Sequence, residues 1–312
     1  MFNGFLNPDC YLKKKRFENT NQFISRHPSK WTEYIHLRKT GREKNVPYFN
    51  KIQLAEKIRE CGFRTPKILR IFDDPCELDF TDLPDAFVLK PSCLWGSRGV
   101  MLLHRCAEKN KFLDLMGNRR LTLDLIRTEQ SRLQKLWYQH RKRPFQLIVE
   151  EIITGENGSG KIPFDYKLFT FDGEVRFIVQ VDRNVRPRAM AWFLNEFEIF
   201  DYTTELEVDW TLITRAESII PGCHKEIVAA AKMISRSLCT PFVSVDFYAT
   251  LEGPVIGELE FFAEPKHGKT FKFKQHFDEE LGMAWKQADD RLGRKIPVMD
   301  IVPALKPQGF FH

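Results

Sequence analysis

Three carboxylates stand close along the chain near its C-terminal third: Asp246, then Glu258 and Glu260 two residues apart. Residues two apart on a strand share a face, so Glu258 and Glu260 point the same way. Carboxylates brought together repel unless a cation lies between them, and hard oxygen donors suit Mg²⁺, which also takes phosphate oxygens. A solvent-facing acidic edge is the alternative. Lys90 ends the apolar run "AFVLK". A lysine at the end of a buried strand must reach an anion or water: a phosphate would serve, as would snorkelling. The loop after it, "SCLWGSRGV", carries Gly96, Ser97 and Gly99, and glycines let backbone N–H groups approach phosphate oxygens. It is neither G-x-x-x-x-G-K-[ST] nor G-x-G-x-x-G, so an ordinary turn competes with that reading. "LIVEEII" ends in Glu150 and Glu151, which could read an adenine edge or protect a sheet edge. Arg183, Arg186 and Arg188 could bind carboxylate or phosphate. Lys266, His267 and Lys269 around Gly268 form a further candidate anion loop, or a charged turn. No GxSxG or HExxH occurs, which turns the reading from hydrolases toward chemistry done by a bound nucleotide and metal.

These residues need elements to position them. "NKIQLAEKIRECGF" predicts a helix stopped at Gly62, followed by a strand at "KILRIF". "AFVLK", "GVMLLH" and "FQLIVEEII" read as buried strands, and residues 107–143 as helical, with Leu133, Leu136, Trp137 and His140 on one face. "DYKLFTFDGEVRFIVQVD" is two β-rich runs about Asp172-Gly173, a type I′ hairpin signature. A regular ladder would pair Phe171 with Glu174, Phe169 with Arg176, Lys167 with Ile178 and Asp165 with Gln180. Tyr166, Leu168, Thr170, Val175, Phe177, Val179 and Val181 would then form the core face. Asp165, Lys167, Arg176, Gln180 and Asp182 would lie opposite, as a plain surface or a cleft wall. "KEIVAAAKMISRSL" predicts a helix, and "PFVSVDFYATLEGPVIGELEFF" a second hairpin whose five-residue loop, Thr250 to Pro254, would set Asp246 opposite Glu258.

The chain's 312 residues, 43% hydrophobic and 29% charged, are those of a globular protein. No apolar run approaches a membrane span, no secretory signal is read, and the seven cysteines show no CxxC; a cytoplasmic protein is expected. Residues 1–48 hold 10 Lys/Arg against 4 Asp/Glu, which accounts for the whole net charge of +6. The division expected is a basic extension over 1–48, a body over 49–288 and a C-terminal tail over 289–312. Lys13-Lys14-Lys15-Arg16 could contact an anionic polymer or a membrane surface, or be a solvated face; no nucleic-acid partner is expected.

The order of these pieces resembles the ATP-grasp superfamily, and most closely its TupA-like branch. The matching stretches are "LPDAFVLKPS", "LIVEEIITGENGSGKIPFDYKLFTFDGEVRFIVQVDR" and "VSVDFYATLEGPVIGELEFF" with "ELGMAW", over roughly residues 49–286. The resemblance implies an α+β ATP-grasp fold, two α+β subdomains gripping ATP between antiparallel sheets, with a lid subdomain near residues 86–150. It implies Lys90 on the α/β phosphates, and Gly96, Ser97 and Gly99 as a flexible lid. Glu150, Glu151, Ile152 and Ile153 would be the adenine hinge, with Asp165 at the ribose or behind the hinge. Lys167 would reach the phosphates, and Arg183 the transferring phosphoryl group or the substrate carboxylate. Asp246, Glu258 and Glu260 would hold Mg²⁺. "ELE" departs from the E-x-N or E-L-T patterns of such proteins, and Leu94 and Trp95 are bulky for such a lid. The implied activity is an ATP- and Mg²⁺-dependent carboxylate–amine ligase working through an acyl phosphate, in surface-polysaccharide or peptide-conjugate biosynthesis. Its partners would be carboxylate and amine substrates. The alternatives are a kinase using the same cleft, or a non-catalytic protein gripping an anionic polymer.

Overall fold

In the computed structural model, residues 25–43, 46, 50–94, 96–140, 143–263, 270–295 and 299–300 are described. Lys13–Arg16, Trp95, the Lys266–Lys269 loop and nearly all of the tail beyond residue 295 lie outside them. In chain order, β1 (Ser25–Arg26), α1 (Trp31–Lys39) and α2 (Lys51–Glu60) lead into β2 (Ile68–Phe72), β3 (Ala86–Pro91), β4 (Met101–Arg105), β5 (Lys111–Asp114) and β6 (Arg119–Thr122). Then come α3 (Leu123–His140) and β7 (Leu147–Glu151). Strands β2 to β7 form one antiparallel six-stranded sheet in the order β2-β7-β3-β4-β5-β6. One face of it is a core that includes Phe87, Leu89, Leu103, Phe112 and Trp137.

Only the last part of the stretch expected to be helical is a helix. Asn110 and Asn118 take left-handed φ values of 58° and 49°, which end helical winding and turn the chain into the β5–β6 hairpin. Side chains there alternate at period two, with Phe112 and Asp114 buried. Within α3, Trp137 is buried but Leu136 is 46% exposed, so the expected apolar face is narrower than read.

The second half comprises β8 (Asp165–Phe171), β9 (Glu174–Asp182), β10 (Ala189–Leu194), α4 (Tyr202–Glu205), β11 (Leu206–Val208), β12 (Thr214–Arg215), α5 (His224–Ser237), β13 (Val243–Thr250), β14 (Gly253–Glu260), β15 (Phe271–Phe273), α6 (Gln275–Arg291) and β16 (Met299–Asp300). The second six-stranded sheet runs β12-β10-β9-β8-β13-β14, antiparallel except for the short β12. Helices α2 and α5 pack their apolar residues on one face, with Tyr166, Leu168, Ile178 and Phe247. On the other face, α1 and α6 cover one end with Trp31, Tyr34, Phe242 and Trp285. Residues 31–39 of the basic extension therefore belong to the same core as the sheet.

Two β-bulges correct the expected registers. The Asp172-Gly173 turn forms as read, with φ of 48° and 86°. The ladder then slips between Phe169 and Thr170, so Phe169 pairs with Phe177, Lys167 with Val179 and Asp165 with Val181. One extra residue reverses the face of everything beyond it. Phe177, Val179 and Val181 therefore share the face of Asp165 and Lys167, while Gln180 joins Tyr166. In the second hairpin the loop is two residues, because Thr250 pairs with Gly253 and Pro254 lies within β14. Strand β14 is at the sheet's edge, where a residue without an N–H is tolerated. A bulge beyond Phe247 restores the expected pairing of Asp246 with Glu258.

Candidate active site

The two sheets enclose one cleft. From the first sheet it is lined by Val88, Lys90, Leu102 and Glu150. From the second come Asp165, Lys167, Asp246, Tyr248, Glu258 and Glu260. Pleating explains the grouping: Asp165 lies opposite Tyr248, Lys167 opposite Asp246, and Asp246 opposite Glu258 across three adjacent strands. The β9 bulge adds Arg183, which falls two residues beyond Val181 and so on the Asp165 side. Its Nη1 lies 2.8 Å from Asp165 Oδ2.

The charges interlock. Lys90 Nζ is 2.7 Å from Glu150 Oε2 within the first sheet. Lys167 Nζ pairs with Asp246 and lies 3.3 Å from Asp165 Oδ2. Burial works against the Asp165 carboxylate, but Lys167 and Arg183 prevail and hold it below its ordinary range. Asp246 is pushed well above that range by burial, with Asp165, Glu260 and Glu258 adding to it against Lys167. Glu260 is raised by burial and by Glu258 and Asp165. Glu258 goes the other way: despite burial, Lys51, Lys167 and Lys90 hold it low.

Of the residues singled out in the sequence, Lys90, Gly96, Ser97, Glu150, Glu151, Ile152, Ile153, Asp165, Lys167, Arg183, Asp246, Glu258 and Glu260 all line this cleft. Gly99 does not. A Cβ there would meet Leu133 Cδ1 at 2.7 Å and Pro91 Cγ at 2.9 Å, and its carbonyl accepts from Gln130 Nε2 at 2.9 Å. Gly99 thus seats the loop on α3. Glu151 spends one carboxylate oxygen on the Lys67 N–H, at 2.9 Å.

Asp246, Glu258 and Glu260 share one wall without closing a cage. Among the described residues no group of three or more Asp, Glu, His or Cys could hold a metal ion unaided. The donor set nevertheless fits Mg²⁺. Asp246 faces Glu258 across the ladder and Glu260 shares their wall, so hard oxygen donors stand together, and Mg²⁺ usually completes its shell with phosphate and water oxygens.

Lys51, Tyr248 and Arg188 also line the cleft, and none had a role assigned from the sequence. Lys51 begins α2 and looks like any surface lysine, yet its Nζ reaches Glu258 Oε1 at 3.1 Å and the Leu94 carbonyl. It ties the glycine loop to the carboxylate wall. Tyr248 lies two residues after Asp246, and period two could have found it. Arg188 was seen only as part of an arginine cluster. It makes no ion pair among the described residues, and its buried Nε has no hydrogen-bond partner. Burial, and then Arg183, lower its pKa against Asp165.

Two largely antiparallel sheets enclosing a cleft of alternating lysines and carboxylates form the arrangement of an ATP-grasp fold. The model of the family described as TupA-like ATPgrasp matches residues 34–286, and the chain belongs to that family. No curated protein matches the sequence. Among solved structures, D-alanine–D-alanine ligase from Bacillus anthracis is 16% identical, with 78% of this chain and 68% of that one covered and a TM-score of 0.44. The ATP-grasp ligase PsnB, complexed with a minimal precursor, is 14% identical over 77% of this chain and 59% of that one, at a TM-score of 0.41. L-amino acid ligase from Bacillus licheniformis is 15% identical over 71% and 47%, at 0.42.

Proposed function

We propose that the protein joins a carboxylate to an amine at the expense of ATP, through an acyl phosphate. The observation that carries this reading is Arg188. A half-buried guanidinium beside the lysine–carboxylate wall, its Nε without a hydrogen-bond partner among the described residues, suits a second anion distinct from the nucleotide, and a planar carboxylate matches its fork. Lys90 and Lys167 hold phosphate oxygens, exchanging their present carboxylate partners for the nucleotide. Asp246 and Glu258, with Glu260 beside them, hold Mg²⁺, which would screen the charge spread over the transferred group. Glu150 to Ile153 border the adenine, and Val88 and Leu102 supply apolar surface beside it. Arg183, already neutralised by Asp165, positions that carboxylate and Lys167. Gly96 and Ser97 cover the phosphates and keep water from the acyl phosphate. Surface-polymer or peptide-conjugate assembly is the setting proposed for that reaction.

Hydroxylamine tests the reaction. With ATP, Mg²⁺ and a pooled panel of carboxylic acids, the protein should release ADP and form a hydroxamate. ADP release on a hydroxyl acceptor with no hydroxamate from any acid would make it a kinase and end the ligase reading.

A further inference from the structure

A second groove lies beside the cleft and shares two of its residues. It is lined by Glu207, Asp209, Trp210, Leu212 and Lys272, and it meets the cleft at Thr270 and Phe271, which line both. Three features make it more than a surface hollow. Thr270 is only 4% exposed, and its hydroxyl, buried at the junction, has no hydrogen-bond partner among the described residues. Trp210 and Leu212 are 43% and 44% exposed, although Trp210 stands edge-on to buried Trp192 at 6.2 Å and to Tyr202 at 5.8 Å. That backing gives a fixed apolar shelf. Beside the shelf stand two carboxylates against one lysine. Glu207 is paired across the β11–β15 ladder with Lys272, while Asp209 spends one oxygen on Thr211 and keeps the other.

We infer that this groove is the acceptor subsite and admits an amine carried on a partly apolar body. The inference rests on the ligase reading. The ammonium form is drawn by Glu207 and Asp209, the apolar body lies on Trp210 and Leu212, and Thr270 hydrogen-bonds the amine where the groove enters the cleft. The amine loses one proton to the Glu207 or Asp209 carboxylate before attack. Its nitrogen lone pair then forms the C–N bond as the acyl C–O bond breaks, phosphate leaves with that electron pair, and the second proton passes from the nitrogen to the departing phosphate. Arg188 and the groove thus divide the two substrates by charge: the anion in the cleft, the cation outside it.

The probe is 2-phenylethylamine, with 2-phenylethanol as its uncharged counterpart, titrated calorimetrically into the full chain. The amine should bind saturably, and the alcohol at least tenfold more weakly. The E207Q/D209N variant should weaken the amine at least tenfold, about 1.4 kcal/mol. The amide introduced by D209N retains an oxygen to accept from Thr211, so the fold is kept. Trp210→Ala should weaken both probes. Equal amine affinity in wild type and E207Q/D209N, or an alcohol that binds as well as the amine, would overturn the inference. The hydroxamate assay separates the two readings. A protein that makes hydroxamates but does not bind the amine here keeps the ligase reading and loses the groove. One that binds the amine but makes no hydroxamate loses the ligase reading, and the acceptor role with it.

Discussion

Arg188 and Arg183 carry the same charge in the same cleft, but their surroundings divide their work. Arg183 is matched by Asp165 at 2.8 Å, whereas Arg188 has no such partner among the described residues. Arg188→Met should therefore raise the KM for the carboxylate substrate and leave ATP affinity nearly unchanged. A lost charged hydrogen bond of about 1.5–3 kcal/mol corresponds to roughly a 10- to 150-fold drop in kcat/KM. Hydroxamate rates against acid concentration, beside nucleotide titration, measure both. Arg183→Met should behave otherwise. It releases Asp165 to compete for Lys167, so kcat should fall and ATP binding weaken as well. Lys167→Met should be the most severe, at least about 100-fold in kcat, because on the proposed mechanism it removes a cation that meets the transferring charge. Glu258→Gln should abolish turnover with the fold intact, and wild-type rates in that variant would remove Glu258 from the site.

At the scale of elements, the bulges decide what faces the cleft. A regular β8–β9 ladder would have put Val181, and with it Arg183, on the side of α2 and α5; the extra residue beyond Phe169 turns both toward Asp165. The turn that starts this hairpin is also exacting. Gly173 has φ 86°, and a Cβ there would lie 2.3 Å from Arg236 Nε. Gly173→Ala should cost about 1–3 kcal/mol, read as a lower urea midpoint. Turnover by the folded protein should be unchanged, because the turn is at the far end of the strands from Asp165 and Lys167. This hairpin also shows what could be read in advance. Asp172-Gly173 needs left-handed backbone and announces itself, and the pairing of Asp246 with Glu258 came out right even though its loop did not. The β9 bulge left no mark, because nothing in "EVRF" sets Arg176, the residue left out of the ladder, apart from its neighbours; the β14 bulge did leave one, since Gly257, left out of its ladder, is the residue type that often marks a bulge. Alternation around an unmarked slip assigns the wrong face to half a strand, as it did for Val179 and Gln180. Lys51 was unreadable for a different reason. Helix periodicity describes the helix it sits on and says nothing of the loop and wall that the tertiary fold brings to its first turn.

For the molecule as a whole, the seam between α1, α6 and the second sheet is bound by buried charge. Arg38, 2% exposed, donates to the Phe242 and Phe261 carbonyls at 3.0 and 2.7 Å and lies 4.4 Å from the Trp285 ring. Its Nε meets Glu43 at 2.6 Å; Glu43 meets Arg294 at 2.9 Å, and Arg294 meets Asp289 at 3.3 Å. Asp289 is the weak link. Burial pushes its carboxyl up to about 7, Glu43 and Asp290 add to that against Arg294 and Arg38, and one of its oxygens has no partner among the described residues. A carboxyl whose pKa is higher folded than unfolded keeps its proton in the folded state after the unfolded chain has lost its own. Its contribution to stability is complete below about pH 4 and is lost as the pH rises to about 7. The loss is at most about 4 kcal/mol, three units at 1.36 kcal/mol each. Asn cannot ionise, so Asp289→Asn should lack this component. The gap between the urea midpoints of variant and wild type should widen in the variant's favour from pH 5 to pH 8, chiefly between pH 5 and 7. A constant gap across that range would mean that Asp289 is ionised throughout, and that Arg294 rather than burial governs it.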